Sequence, residues 1–143
     1  MQADHTIREI MTTRIITVSA DTPADIIKDI FRKNNFHHLP VVEKGDMLVG
    51  IISVEDFLRV SYLKSQDESA AEKNLEALTA KDFMTSYPLT LEPEDTVGLA
   101  ADIFLANRFH ALPILEEGRL VGIITAHDLL AYIFNSNYVE KTI

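Results

Sequence analysis

The sequence contains one seven-residue pattern twice, as Gly50-Ile51-Ile52-Ser53-Val54-Glu55-Asp56 and as Gly122-Ile123-Ile124-Thr125-Ala126-His127-Asp128. In each copy a short apolar run predicts a buried strand, a hydroxyl residue follows, and an aspartate three positions later opens an amphipathic helix. A helix N-terminus offers unpaired backbone N–H groups and partial positive charge, so the hydroxyl and these amides suit a phosphate. A carboxylate only accepts hydrogen bonds and suits a ribose diol. The pattern could therefore hold both ends of a nucleotide.

The same spacing also has a purely structural interpretation. Ser53 with Asp56, and Thr125 with Asp128, are spaced as in a helix capping box, in which each side chain accepts a hydrogen bond from the other residue's backbone N–H. Either copy taken alone favours a cap. The duplication and its surroundings favour a binding site.

Composition excludes several classes of protein. The 143 residues are 47% apolar, which is enough to bury a core, and no apolar run approaches the ~18 residues of a membrane span. The first residues lack a signal-peptide pattern, so we expect a cytoplasmic protein without a membrane partner. The absence of cysteine excludes disulfides and a thiolate nucleophile. A formal net charge of −9 disfavours nucleic acid as a partner.

Hydrophobic periodicity predicts the elements of the first half of the chain. In order, these are a helix at 4–11, a strand at 14–18, a helix from Asp21-Thr22-Pro23 to Asn34-Asn35, strands at 36–42 and 47–52, and a helix at 54–63. The helix that Pro23 opens, with Pro at its first position, buries a stripe formed by Ile26, Ile27, Ile30 and Phe31. Residues 64–82 are polar and acidic and predict a connector with a helix at 70–78.

The pattern then begins again, which makes the chain an internal repeat. Residues 11–46 align with 84–119 at an offset of 73, and residues 48–58 align with 120–130 at an offset of 72, so Met47 is a one-residue insertion. The predicted parts are repeat 1 at 6–64, an acidic linker with a short helix at 65–82, repeat 2 at 83–135 and a C-terminal tail at 136–143.

The predicted fold class is α/β (α+β). Each repeat has the order strand, helix, strand, strand, helix, which places helices on one side of a small sheet and leaves apolar surface exposed if the repeat is alone. We therefore expect the two βαββα repeats to pack sheet to sheet about a pseudo-twofold axis.

Three motifs, each present in both halves, carry a resemblance to a known family. They are the Met-Thr opening at residues 11 and 84, the Phe-His-x-Leu-Pro strand at 36 and 109, and the Gly-Ile-Ile-Ser/Thr-x-x-Asp ending described above. The ordered set resembles a tandem pair of cystathionine-β-synthase (CBS) domains over about residues 6–135. This resemblance implies a non-catalytic module that binds adenosine-containing ligands (AMP, ADP, ATP, S-adenosylmethionine, sometimes NAD or dinucleotides) in two clefts between the repeats. It also implies no required cofactor.

The resemblance implies two sites that are built crosswise from both repeats. One would place Asp128 on the ribose hydroxyls and Thr125 on phosphate, with Ile15, Ile16 and Thr17 flanking the adenine. The other would use Asp56 and Ser53 in the same roles, with Leu89 and Thr90.

Histidines precede both proline-containing strands and are further candidates for binding phosphate. His37, His38 and His110 stand where several family members place cationic or imidazole donors, and the alternative is that they only line the clefts. Further basic residues, Arg14, Arg32, Lys33 and Arg108, are candidate donors that a solvated helix surface also explains.

Other chemistries have little support in the sequence. His37 and His38 are adjacent, so on a strand they point to opposite faces, and no His-x-x-x-His or Glu-x-x-His pattern predicts a metal site. The hydroxyl candidates lie at predicted caps instead of a strained nucleophile elbow, so we do not expect an enzyme.

The second helix of each repeat carries more apolar residues than one core can cover, which predicts a homodimer interface. The alternative is that the connector and the tail cover these faces. The leading functional hypothesis is a sensing module that signals ligand binding to an unidentified regulated protein. The alternative is a structural or interaction dimer with the same fold that binds no ligand.

Overall fold

The structure is a computed structural model that describes residues 5–66, 77–106 and 109–142, with residues 136–142 described as backbone only. It has the predicted α+β class. The helices within this part of the chain are α1 (Ala24–Lys33), α2 (Val54–Ser65), α3 (Val97–Ala106) and α4 (Ala126–Thr142). The strands are β1 (His38–Glu43), β2 (Met47–Ser53), β3 (Thr85–Ser86), β4 (Ala111–Glu116) and β5 (Arg119–Thr125).

The chain divides into two compact units whose borders differ from those of the sequence repeats. The continuous unit is Ile16–Pro88, and the discontinuous unit combines Met1–Ile15 with Leu89–Ile143. The opening segment of each repeat therefore belongs to the unit that contains the sheet of the other repeat.

In the continuous unit, three strands form an antiparallel ladder. β1 pairs with β2 with a bulge at Val41/Val42, and β2 pairs on its other side with β3, where Ile51 lies opposite Thr85. Val18 bridges β1 in parallel. Helices α1 and α2 pack on this ladder around a core that includes Ile27, Leu39, Val41, Ile52, Phe57 and Phe83.

The discontinuous unit repeats this arrangement, and here the segment exchanged between the repeats is the opening segment of repeat 1, at the start of the chain. β4 pairs with β5 with a bulge at Ile114/Leu115, and Leu91 bridges β4 in parallel. Thr12 bridges β5, and the backbone N–H and C=O groups of Thr12 and Ile123 exchange bonds of 2.9 and 3.0 Å. The buried core comprises Ile7, Leu91, Ala100, Leu112, Ile114 and Ile124.

Close packing of a methionine on a strand glycine holds each exchanged segment. A Cβ atom placed on Gly122 would lie 2.6 Å from Met11 Sδ, and one on Gly50 would lie 2.5 Å from Met84 Sδ. Real Cβ contacts are longer than this, so a side chain at either position would force the methionine to move. The Met-Thr opening of one repeat and the Gly-Ile-Ile run of the other are thus two parts of one contact.

Several predicted elements are shorter in the structure. The helix predicted at 4–11 is a 3-10 helix at Ile7–Glu9, with residue 4 outside the described residues. The strand predicted at 14–18 is wrong except at Val18, because this segment pairs with a sheet at that residue only. Of the helix predicted at 70–78, residues 70–76 lie outside the described residues.

The start of α1 and the position of the insertion also differ from the prediction. Pro23 is the N-cap of α1, with ψ 152°, and the helix begins at Ala24. In the predicted apolar stripe, Ile27 is fully buried but Ile26 is exposed. The extra residue of repeat 1 lies in the hairpin turn instead of at Met47, since three residues link β1 to β2 while Glu117 and Gly118 alone link β4 to β5.

Candidate functional site

Four groups meet at the N-terminus of α2. Ser53 is the N-cap, and its Oγ accepts a 3.0 Å hydrogen bond from the backbone N–H of Asp56. The carbonyl oxygen of His37 accepts a 2.8 Å bond from the N–H of Val54. The Asp56 carboxylate is half-buried and accepts a 3.1 Å bond from Nη2 of Arg59, one turn along the helix.

The N-terminus of α4 has the same plan with a different partner for its carboxylate. Oγ1 of Thr125 accepts a 3.0 Å bond from the N–H of Asp128, and Oδ2 of Asp128 accepts a 3.1 Å bond from the N–H of Thr125. These two bonds form a complete capping box. The carbonyl oxygen of His110 accepts a 3.0 Å bond from the N–H of Ala126.

Both aspartates therefore take part in local hydrogen bonds at a helix end, and both keep capacity for a ligand. A carboxylate offers about four lone-pair sites. In the described part of the chain, one side-chain oxygen of each carboxylate is used, Oδ1 of Asp56 and Oδ2 of Asp128. Capping and binding of a diol are thus compatible at both positions.

The predicted histidines lie beside these helix ends. His37 and His110 are exposed, and each is joined to the first turn of a helix by the carbonyl bond described above. His38 is half-buried and pairs with Ser53 across β1 and β2, and at the equivalent place Ala111 pairs with Thr125. The structure thus brings His37 and His38 together with Ser53, and His110 with Thr125.

The predicted adenine-flanking residues belong to both units. Ile16 and Thr17, just before the Val18 bridge, are in the continuous unit. Leu89 and Thr90, just before the Leu91 bridge, are in the discontinuous unit, as is Ile15. Ile16 and Leu89 are exposed apolar side chains. The crosswise combination of these residues with Asp128 and Asp56 remains a prediction.

A sequence profile of the CBS domain matches the chain twice, at residues 7–62 and 80–135. These matches cover more than half of the chain. The chain belongs to the CBS domain family.

Known CBS proteins resemble this CBS pair over nearly its full length. A CBS domain-containing protein of Dictyostelium discoideum is 32% identical over 129 aligned residues, and the match covers 87% of this chain and 88% of that protein. The crystal structure of CBSX2 from Arabidopsis thaliana in complex with AMP has a TM-score of 0.79 at 24% identity, with 93% and 98% of the two chains covered. The CBS domain pair of protein MJ0100, in complex with 5-methylthioadenosine and S-adenosyl-L-methionine, has a TM-score of 0.73 at 24% identity and covers 92% and 97%. The two structures support the fold.

Sequence reasoning missed Arg59 of this CBS pair. Its spacing of three residues from Asp56 on a predicted helix is the signal that could have indicated the ion pair.

The other candidate cations have different surroundings. Arg14 is exposed, and Arg32 and Lys33 both pair with Asp29, whose pKa they lower by hydrogen bonding, with Lys33 the larger cause. Arg108 lies outside the described residues.

Neither a metal cluster nor a membrane span is found in the described part of the chain. No group of three or more His, Cys, Asp or Glu side chains in residues 5–66, 77–106 and 109–135 could hold a metal ion. Among the helices whose bounds are given above, none has the length and apolarity that a membrane span requires.

Proposed function

We propose that this CBS pair is a non-catalytic regulatory module that binds adenosine-containing ligands of the AMP, ADP and ATP class, with S-adenosylmethionine as a further candidate, in clefts between its repeats. In this proposal, Asp56 and Asp128 bind ribose hydroxyls, Ser53 and Thr125 bind phosphate, and the nearby histidines assist. Ile15, Ile16 and Thr17 flank one adenine, and Leu89 and Thr90 flank the other. The ligand is regulatory, and no cofactor is required.

One observation carries the proposal, namely that both repeats place a hydroxyl and a carboxylate with unused acceptor sites at the N-terminus of a helix. Amides at such an end attract phosphate. A hydrogen bond to a carboxylate is worth about 1.5–3 kcal/mol, enough for one aspartate to decide whether ribose binds. The AMP bound to CBSX2 and the S-adenosyl-L-methionine and 5-methylthioadenosine bound to MJ0100 share the adenosine group that this chemistry would recognise.

Binding would regulate through a population shift. A ligand that binds one conformation of the module more tightly than another shifts the equilibrium by that difference in free energy. The output would pass to an unidentified partner protein or to the dimer itself.

Melting in the presence of ligand tests the binding proposal directly. A ligand at 100 times its Kd stabilises the native state by about 2.7 kcal/mol, which raises the melting temperature by several degrees. Asp56→Asn and Asp128→Asn should each reduce this rise, and asparagine at position 128 can still accept the capping bond from the N–H of Thr125. Asp29→Asn changes an exposed carboxylate on α1 and is the matched control. If AMP, ATP and S-adenosylmethionine at millimolar concentrations leave the wild-type melting temperature unchanged, the sensing proposal fails.

The second candidate function is an interaction dimer that binds no ligand. Large apolar side chains at equivalent positions of the second helices are exposed: Leu58 (61%) and Tyr62 (64%) on α2, and Leu130 (67%) and Phe134 (70%) on α4. Each pair is spaced by four residues and so lies on one helix face. We propose that these faces form a homodimer interface. Light scattering should give twice the mass of the chain, and Leu58→Asp with Leu130→Asp should halve it, while Leu105→Asp, at an exposed leucine on α3, should not.

A further inference from the structure

The ion pair between Arg59 and Asp56 gives the Asp56 carboxylate different surroundings from those of Asp128, its equivalent in the other repeat. Nη2 of Arg59 lies 3.1 Å from Oδ1 of Asp56, with the arginine side chain exposed and the aspartate side chain 35% exposed. Long side chains on a helix lean toward its N-terminus. The guanidinium of Arg59 therefore reaches back to the first turn of α2, where it contacts the Asp56 carboxylate.

The equivalent place in the other repeat holds no cation. Repeat positions in this region differ by 72, so Ala131 on α4 corresponds to Arg59. In the described part of the chain, the Asp128 carboxylate accepts the N–H of Thr125. The net charge does not separate the two ends, because the positive charge of Arg59 on α2 is offset by the negative charge of Glu55, while α4 has His127, counted as neutral, and Ala131 at these positions. The difference lies in the position of one planar, five-donor group.

A ribose diol that donates to both carboxylate oxygens of Asp56 would compete with Arg59 for Oδ1. An exposed ion pair is weak, so a diol can displace the guanidinium from Oδ1. The released guanidinium remains near the helix N-terminus, where a phosphate would bind, and can donate two parallel N–H bonds to phosphate oxygens. A ligand without an anionic group, such as adenosine, displaces Arg59 and offers it no new anionic partner.

From this exchange, which rests on the proposed function, we infer that Arg59 makes the Asp56 site selective for phosphorylated adenosine ligands, whereas the Asp128 site, with Ala131, lacks this selectivity. AMP, ADP and ATP carry the required phosphate, while adenosine does not. The two sites of one chain would then respond to different members of the adenosine class.

Isothermal titration with AMP and with adenosine tests the inference. In Asp128→Asn, which weakens the other site, AMP should bind at least about tenfold more tightly than adenosine, as a charge-assisted pair of bonds predicts. Adding Arg59→Ala should remove most of this ratio by weakening AMP, with adenosine binding unchanged or tighter. In Asp56→Asn, which leaves the Asp128 site, the ratio should be smaller, and adding Ala131→Arg should increase it.

The outcomes separate the inference from the proposed function. If both ligands bind but Arg59→Ala leaves the ratio of the two affinities unchanged, or weakens both ligands equally, the inference is overturned and the proposed function stands. If neither ligand binds the wild-type protein, the proposed function is overturned and the inference falls with it. Melting of each variant without ligand checks that it is folded, and the exposure of Arg59 predicts little change there.

Discussion

Substitution of Gly122 by alanine probes the contact that joins the first residues of the chain to β5. The added Cβ would lie 2.6 Å from Met11 Sδ, 3.0 Å from Met11 Cγ and 3.2 Å from the carbonyl oxygen of Thr12. The sulfur must therefore move. Met11 is only half-buried, so its side chain can rotate outward, but the carbonyl of Thr12 is held by the N–H of Ile123 and cannot retreat freely.

The expected loss of stability is the overpacking cost less a small gain in backbone rigidity. Overpacking costs about 1–3 kcal/mol, and alanine in a strand regains about 0.5–1 kcal/mol relative to glycine. Gly122→Ala should therefore destabilise the protein by about 1–2 kcal/mol, a fall in melting temperature of about 2–8 °C. Gly50→Ala should cost at least as much, because its Cβ would lie 2.5 Å from Met84 Sδ and 3.0 Å from the carbonyl oxygen of Thr85.

A double-mutant cycle in urea, followed by circular dichroism, isolates this contact. Met11→Ala alone should cost about 1–2 kcal/mol, and in its presence Gly122→Ala should lose most of its effect. Gly45→Ala is the control, since Gly45 has φ +79° and an added Cβ there would have no atom within 4 Å. Its cost of about 1 kcal/mol is backbone strain that Met11→Ala cannot relieve. Strictly additive effects of Gly122→Ala and Met11→Ala would refute the packing argument.

Three further predictions concern other contacts. Deletion of residues 1–12 should speed amide hydrogen exchange in β5 around Ile123, because the backbone N–H and C=O of Ile123 bond to Thr12. Exchange in β2, measured by mass spectrometry, should stay slow, and equal acceleration in both strands would contradict this prediction. Thr125→Ala should lower the free energy of unfolding by about 1 kcal/mol through loss of the cap, and Thr125→Ser should restore it in thermal melts. The pKa of Asp29 is lowered in the folded protein by Lys33 and, to a smaller extent, by Arg32. The Asp29 carboxylate therefore stabilises the fold above the pKa that it has in the unfolded chain, and this stabilisation is lost as the pH falls through the lowered folded value. In an NMR titration Lys33→Ala should raise the pKa of Asp29, and an unmoved pKa would exclude the ion pair as the cause of the shift.

Local patterns predicted the elements that local physics determines. The apolar runs before Ser53 and Thr125 are strands in the structure, and the Ser/Thr-x-x-Asp spacing gives hydroxyl caps at both helix ends. The strand predicted at 14–18 failed because a β-branched composition does not supply a neighbouring strand, and only Val18 has one. Tertiary context overrides propensity in such a segment.

Contacts between distant parts of the chain were beyond the sequence patterns. The glycines at 50 and 122 read as parts of apolar strands, and nothing in their own repeat indicates that a methionine of the other repeat packs on them. At the candidate site, spacing predicted the hydroxyl and carboxylate of each helix end. The capping-box spacing correctly predicted the reciprocal box that Asp128 completes, but it was wrong for the Asp56 carboxylate, which pairs with Arg59.

The exchange of opening segments means that neither copy of the duplicated sequence is whole by itself. A gene encoding one copy would produce a sheet that lacks the Met-Thr opening segment packed on its glycine. The opening segment of that copy would in turn have no sheet to pack on. Two molecules of a single copy could complete each other by exchanging these opening segments, which is domain swapping. Fusion of two such genes would turn this exchange between molecules into one within a single chain. The two copies would from then on be inherited together.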